Sequence, residues 1–179
     1  MINRDRSEYR VEPLGAGHDR ASFHSGVPEL DRYLHEQAGQ DARRKVATPF
    51  VLIDPSGALV GYYTLSAYSV RLGELPEAVA KNLPRYPQLP ATLLGRLAVS
   101  ASRRGQHLGG FLLMDALYRS WKNTSQVASV GVVVDALDEN ARGFYIHHEF
   151  RSLKDHPDKL FIAMATIEKA FKAGYPGAC

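Results

Sequence analysis

The seven residues Arg104-Gly105-Gln106-His107-Leu108-Gly109-Gly110 form a basic, glycine-bearing turn. The apolar run Leu93-Leu94-Gly95-Arg96-Leu97-Ala98-Val99 precedes it and Phe111-Leu112-Leu113-Met114-Asp115-Ala116-Leu117-Tyr118 follows it. Strand, turn and helix in that order assemble an anion site. The N–H groups of a helix's first turn lack partners inside the helix, its positive end points the same way, and glycine lets a ligand approach the main chain. A pyrophosphate suits such a site, which implies a nucleotide-like cofactor. Two other phosphate motifs do not fit. A Walker loop needs Lys-Ser/Thr after its last glycine, and Gly110 is followed by Phe111. The dinucleotide fingerprint G-x-G-x-x-G cannot be written with Gly105, Gly109 and Gly110. Taken alone, the heptapeptide also reads as a plain helix start without a ligand.

A second constellation is Asp138-Glu139-Asn140-Ala141-Arg142-Gly143-Phe144-Tyr145. Asp138 is a natural helix N-cap, and Ala141 and Tyr145, four residues apart, share a helix face. Tyr145 would then stand near the C-terminal end of the sheet, where ligands collect in open α/β folds. Phe144-Tyr145 is equally compatible with aromatic core. His147 and His148 are general-base candidates by type, but their place at the helix end suits a capping or surface role better. The basic run Arg43-Arg44-Lys45 sits at a predicted helix C-terminus, where the helix dipole already favours cations. It can also hold phosphates.

The elements that must position these groups are legible in outline. Leu30, Tyr33, Leu34 and Ala38 fall at i, i+3, i+4, i+8, which predicts an amphipathic helix entered through Ser25-Gly26-Val27-Pro28 and running to about Lys45. Phe50–Ile53 and Leu59–Leu65 read as strands joined by the turn Asp54-Pro55-Ser56-Gly57. Pro76, Pro84, Pro87 and Pro90 bracket a loop with at most a short helix near 77–82, and a strand over 91–99 follows. A helix is expected at about 109–122, a buried strand around Val130–Val134, a helix from Asp138 to about His147, strands at Phe150–Leu153 and Leu160–Met164, and a short helix at Ile167–Lys172. This is an α+β arrangement with a central mixed sheet and flanking helices, read as a single domain over 1–179.

Composition narrows the function classes. The chain has 179 residues, 45% hydrophobic and 23% charged, with a formal charge of +3. It is ordinary globular material, not basic enough overall to mark a nucleic-acid binder by charge alone. The start Met1-Ile2-Asn3-Arg4-Asp5-Arg6 carries no apolar secretion signal, and no apolar run approaches the ~20 residues that span a bilayer. The lone Cys179 excludes an internal disulfide. A cytoplasmic protein without a metal site is the expectation.

Together these segments resemble the GNAT N-acetyltransferases. Arg104, His107 and Gly109 occupy the fixed positions of the family motif R/Q-x-x-G-x-G/A, with His107 in place of a glycine. Val134-Asp135-Ala136 through Tyr145 matches the later motif. Phe23-His24-Ser25-Gly26, Leu30-Asp31-x-x-Leu34, Gly61-Tyr62-Tyr63-Thr64-Leu65-Ser66 and Leu160-Phe161-Ile162 look like the GNAT toxins of type II toxin–antitoxin pairs (TacT/AtaT type). The resemblance implies an acetyl-CoA-dependent acyltransferase that acetylates the α-amino group of aminoacyl-tRNA and blocks translation. It implies a ribbon-helix-helix antitoxin that binds DNA, and a homodimer. By the same resemblance, acetyl-CoA's pyrophosphate sits on the amides of Arg104, Gly105, Gln106, His107, Leu108, Gly109 and Gly110. The pantetheine arm pairs with Leu97, Ala98 and Val99, and Tyr145 is the catalytic acid. Arg43, Arg44, Lys45, Arg85 and Arg96 are the candidate tRNA contacts, with Lys81 and Arg103 as weaker ones. The alternative is a GNAT acting on a small-molecule amine, or on a protein or peptide amine.

Overall fold

The computed structural model describes residues 6–174. Seven strands form one sheet in the order β1-β2-β3-β4-β5-β7-β6. They are β1 Arg10–Pro13, β2 Thr48–Ile53, β3 Leu59–Arg71, β4 Gln88–Val99, β5 Gly131–Asp135, β6 Arg151–Leu153 and β7 His156–Ala163. The sheet is mixed: β1–β2, β2–β3, β5–β7 and β6–β7 pair antiparallel, while β4 and β5 run parallel. The three valines of β5 are fully buried, as expected of a strand covered on both faces. The helices are α1 Pro28–Arg32, α2 Ala38–Arg44, α3 Glu77–Ala80, α4 Leu108–Asn123, α5 Glu139–His147 and α6 Met164–Lys172.

The chain divides into two compact units. The first comprises Met1–Leu65 and Arg96–Asp115. Its core gathers Phe23, Leu30, Leu34, Ala38, Val51, Ile53, Tyr62 and Ala98. The helical stripe predicted from Leu30, Tyr33, Leu34 and Ala38 is buried throughout, but the helix is not uniform. Tyr33–Gln37 forms a π-turn between α1 and α2. Such turns are rare single insertions in α-helices. The Tyr62 hydroxyl donates to the Leu30 carbonyl at 2.7 Å and the Tyr33 hydroxyl donates to Asp41 at 2.9 Å. Lys45 ends the helix in a left-handed conformation, φ 61°.

The second unit comprises Ser66–Gly95 and Ala116–Cys179. Val70, Leu75, Leu89, Ala91, Val133, Leu153 and Phe161 form its core. Gly131 opens β5 where backbone and ring crowd together. A Cβ there would lie 2.4 Å from the Ile162 carbonyl oxygen and 2.4 Å from the Phe161 ring. Gly131→Ala is therefore expected to cost about 1–3 kcal/mol by overpacking, read as a lower denaturant midpoint with an unchanged m-value.

Three features differ from expectation. β1 has no signature in the sequence, because an edge strand of four residues with alternating charge carries no hydrophobic period. β3 runs on to Arg71, past the predicted end at Leu65. Met164 begins α6 instead of ending the last strand, and its N–H bonds to the Val130 carbonyl at 2.8 Å. No helix among the described residues is long and apolar enough to cross a membrane.

Candidate active site

In the first unit β4 ends at Val99, a single 3-10 turn spans Ala101–Arg103, and α4 begins at Leu108. Two residues of the intervening turn are left-handed: Gly105 at φ 79° and His107 at φ 57°. Glycine takes this region freely, whereas a histidine pays about 1–2 kcal/mol for it. His107 thus adopts a backbone that a glycine at its motif position would take without strain. Arg104, Gly105, Gln106 and His107 are exposed, Leu108 is buried, and Gly109 and Gly110 are half-buried at the helix start. His107→Gly relieves the strain but loosens the unfolded chain by about 0.5–1 kcal/mol. The expected net is a stabilisation of up to about 1 kcal/mol in chemical denaturation, with CoA affinity by calorimetry within about twofold of wild type.

The two arginines of this segment are both engaged. Arg103 forms an ion pair with the buried Asp54, and Arg104 donates through Nη2 to the Ser25 carbonyl at 2.9 Å. The paired register of β4 with β5 runs from Thr92↔Val132 to Leu94↔Val134, and β4 itself continues to Val99. Leu97, Ala98 and Val99 lie on that continuation.

In the second unit, Asp138 caps α5 by accepting the Ala141 N–H at 2.8 Å. Left-handed Glu149 (φ 69°) turns the chain back after the helix, and the Phe150 N–H bonds to the Tyr145 carbonyl at 3.1 Å. Tyr145 is 7% exposed, with its ring 5.2 Å from that of Phe144 and 5.3 Å from that of Phe150. Its hydroxyl has no hydrogen-bond partner among the described residues, yet none of their sealed side-chain polar atoms lacks a partner. The hydroxyl is therefore not sealed from solvent. Burial pushes its pKa above the ordinary tyrosine value, so the proton stays in place at any physiological pH. His148 bonds through Nδ1 to the Phe144 carbonyl at 2.8 Å and finishes the helix, while His147 is exposed.

Of the candidate cations, Arg43, Arg44 and Lys45 are contiguous and exposed at the end of α2. Arg96, in the same unit, lies over Tyr33, its guanidinium carbon 3.6 Å from the ring centroid. Arg85 is exposed in the other unit beside Tyr86, which is 65% exposed. Lys81 is exposed there too.

No family model matches the chain. Individual relatives do. The tRNA-acetylating toxin of Mycobacterium tuberculosis (strain ATCC 25618 / H37Rv) is 35% identical over 82% of this chain and 86% of its own length. This chain belongs to the tRNA-acetylating GNAT toxin family. A probable toxin TacT of Sinorhizobium fredii (strain NBRC 101917 / NGR234) is 27% identical over 93% of the chain and 97% of its own length. Among solved structures, AtaT complexed with acetyl-methionyl-tRNAfMet superposes with a TM-score of 0.84 at 30% identity, covering 91% of this chain and 99% of that one. A tyrosine-to-phenylalanine mutant of AtaT, bound to acetyl-CoA and to the C-terminus of the antitoxin AtaR, gives 0.78 at 26% identity, covering 92% and 98%.

Sequence reasoning missed three residues that contact the arginines of the candidate site. Tyr33 read as helix core, and its second use as the platform under Arg96 has no local signature. Its hydroxyl is pushed up to about 12 by burial and by Asp41, an effect that the Arg96 charge opposes. Asp54 read as a turn residue, and Ser25 as a helix entry. Both reach the anion loop only through the fold.

Proposed function

We propose that this chain is the toxin of a type II toxin–antitoxin pair, and that it transfers acetyl from acetyl-CoA to the α-amino group of aminoacyl-tRNA and so blocks translation. The observation that carries the reading is Tyr145: a buried ring whose hydroxyl makes no hydrogen bond to a described residue and is not sealed from solvent, on a chain that shares its fold with an AtaT complex of acetyl-methionyl-tRNAfMet. Acetyl-CoA supplies the acyl group as a thioester. The residues present fit it. The left-handed Gly105 and His107 lie in the turn before α4, whose first-turn N–H groups would receive an anion, and Leu97, Ala98 and Val99 continue β4 beyond its pairing with β5, where an amide-bearing arm would add. Tyr145 gives its proton to the departing sulfur.

The acceptor chemistry agrees with a site that offers no strong base. A free α-amine with a pKa of ~7.7–8.0 is on the order of a tenth neutral at pH 7, whereas a lysine amine at ~10.4 is well under ~1% neutral. An α-amine therefore loses its own proton to solvent. Arg43, Arg44 and Lys45, with Arg85 and Arg96, hold the tRNA phosphates. The whole chain works as one acetyltransferase domain in the cytoplasm, where charged tRNA is found. It acts as a homodimer, and a ribbon-helix-helix antitoxin that binds DNA neutralises it.

The test is transfer of labelled acetyl from acetyl-CoA to bulk charged tRNA, beside deacylated tRNA, small amines and peptides. Label on charged tRNA alone is the expected result. Label on small amines or peptides with charged tRNA untouched would leave an acetyltransferase and remove the toxin assignment.

A further inference from the structure

An anion site built from main-chain amides works only if the loop that carries them is held still. This loop holds two left-handed residues, Gly105 and His107, and the histidine does not favour that conformation. Strained backbone persists where the surroundings over-determine it. Two ties, both within the first unit, do so.

The first tie is to the β2–β3 turn. Asp54 Oδ1 accepts the Ser56 N–H at 2.9 Å, the Ser56 hydroxyl at 2.6 Å and the Ala58 N–H at 3.0 Å. That carboxylate oxygen is saturated by its own turn, and Oδ2 is left for the Arg103 guanidinium. Asp54 has a 2% exposed side chain and Arg103 a 23% exposed one. The second tie is to the turn before α1. Asp31 Oδ1 accepts both the Ser25 N–H at 2.8 Å and the Ser25 hydroxyl at 2.6 Å, and the Ser25 carbonyl accepts Arg104. Gly26 (φ 88°) leaves room for that guanidinium, since a Cβ there would lie 2.9 Å from Arg104 Nη2. Two main-chain bonds run alongside, Ala101 N–H to the His24 carbonyl at 2.9 Å and Ser100 N–H to the Val60 carbonyl at 2.8 Å.

We infer that Asp54 and Asp31 are positioning residues for acetyl-CoA: Asp54 grips Arg103, Asp31 holds Ser25 whose carbonyl grips Arg104, and together they fix the main-chain amides of 105–110 where the pyrophosphate binds. In this arrangement the arginines act as tethers, and the phosphate ligands are amides. The inference rests on the function proposed above. Asp54 acts through Arg103, at a distance from the reacting atoms, so its loss should move acetyl-CoA binding and little else.

The experiment compares wild type, Asp54→Asn, Arg103→Gln, Arg103→Lys and Asp31→Asn. Asparagine keeps the acceptor for Ser56 and Ala58 and removes the charge that holds Arg103. The expected result for Asp54→Asn and Arg103→Gln is a KM for acetyl-CoA raised on the order of tenfold, the scale of one charge-assisted hydrogen bond. The kcat at saturating acetyl-CoA and the KM for charged tRNA should hold within about twofold. The double variant should be no worse than either single one, Arg103→Lys should recover part of the loss, and Asp31→Asn should repeat the split. Arg103→Gln is changed on the more exposed side, so it remains readable if Asp54→Asn does not fold. An unchanged KM for acetyl-CoA overturns the inference, as does a fall in kcat and in both substrates' KM-dependent rates that tracks Tm. CoA binding by calorimetry separates the two levels. A wild type that binds CoA no better than its variants overturns the ties alone. A wild type that binds no CoA overturns the functional reading and the ties with it.

Discussion

Tyr145→Phe is expected to lower kcat for acetyl transfer to charged tRNA by ~10²–10⁴, the usual worth of a positioned general acid. In free energy that is about 2.7–5.5 kcal/mol of transition-state stabilisation. The fold should not notice the change. The phenyl ring keeps its neighbours Phe144 and Phe150. The lost hydroxyl made no hydrogen bond to a described residue and leaves no buried partner orphaned, so Tm should move by no more than about 2 °C. KM for acetyl-CoA should hold, because the amide loop is untouched. Turnover near wild type would remove Tyr145 from the chemistry; a large loss of Tm would reduce it to core.

The pH profile gives the same role a second check. Burial raises the Tyr145 pKa, so the protonated acid persists to higher pH than for a free tyrosine at ~10. The acceptor amine must instead be deprotonated, with a pKa of ~7.7–8.0. The sign is therefore fixed: kcat/KM for charged tRNA should rise close to tenfold per unit below about pH 7, bend near ~7.7–8.0, and be level from about pH 9 to pH 10. A descending limb between pH 8 and 10 would mean that another group donates the proton. Because ester-linked aminoacyl groups hydrolyse in alkali, initial rates on freshly charged tRNA are the proper readout.

The glycine-bearing turn before α4 is legible in the sequence because its physics is local. Glycines, cations and a following helix lie within one heptapeptide, and the buried strand before Tyr145 announces itself by Val132-Val133-Val134. The α1–α2 stripe is legible for the same reason, while the π-turn inside it is not, since inserting one residue leaves most of the stripe on one face. What fixes the loop is illegible. Asp54 and Arg103 are 49 residues apart and Arg104 and Ser25 are 79 apart. Each of these four residues has a sufficient local reading as turn, cap or surface charge. His107 shows the limit most sharply. Its identity departs from the motif, and only the backbone angle reveals that it takes up the conformation a glycine would supply.

Arg43 and Arg44 carry the second large expectation. Both are exposed on the last turn of α2, next to Lys45. Each phosphate neutralised by a cation contributes ~0.7–0.9 to the slope of log K against log salt. Removing two such contacts near 0.15 M salt costs about 30-fold, and the added repulsion of reversed charges brings the double variant Arg43→Glu/Arg44→Glu to about 30- to 100-fold in KM for charged tRNA. The salt slope should fall by about 1.4–1.8, and CoA binding should not change. Glutamate at a helix C-terminus also opposes the helix dipole, at ~0.3–1 kcal/mol each. A fold defect must therefore be separated from a lost phosphate contact. Arg43→Gln/Arg44→Gln does so, because it removes the contacts without inverting the charge and should show the same reduced salt slope with a smaller rise in KM. If tRNA acetylation keeps both its KM and its salt slope in the reversed variant, the cations at 43–45 serve the helix end, and the phosphates are held elsewhere, with Arg85 and Arg96 the next to be changed.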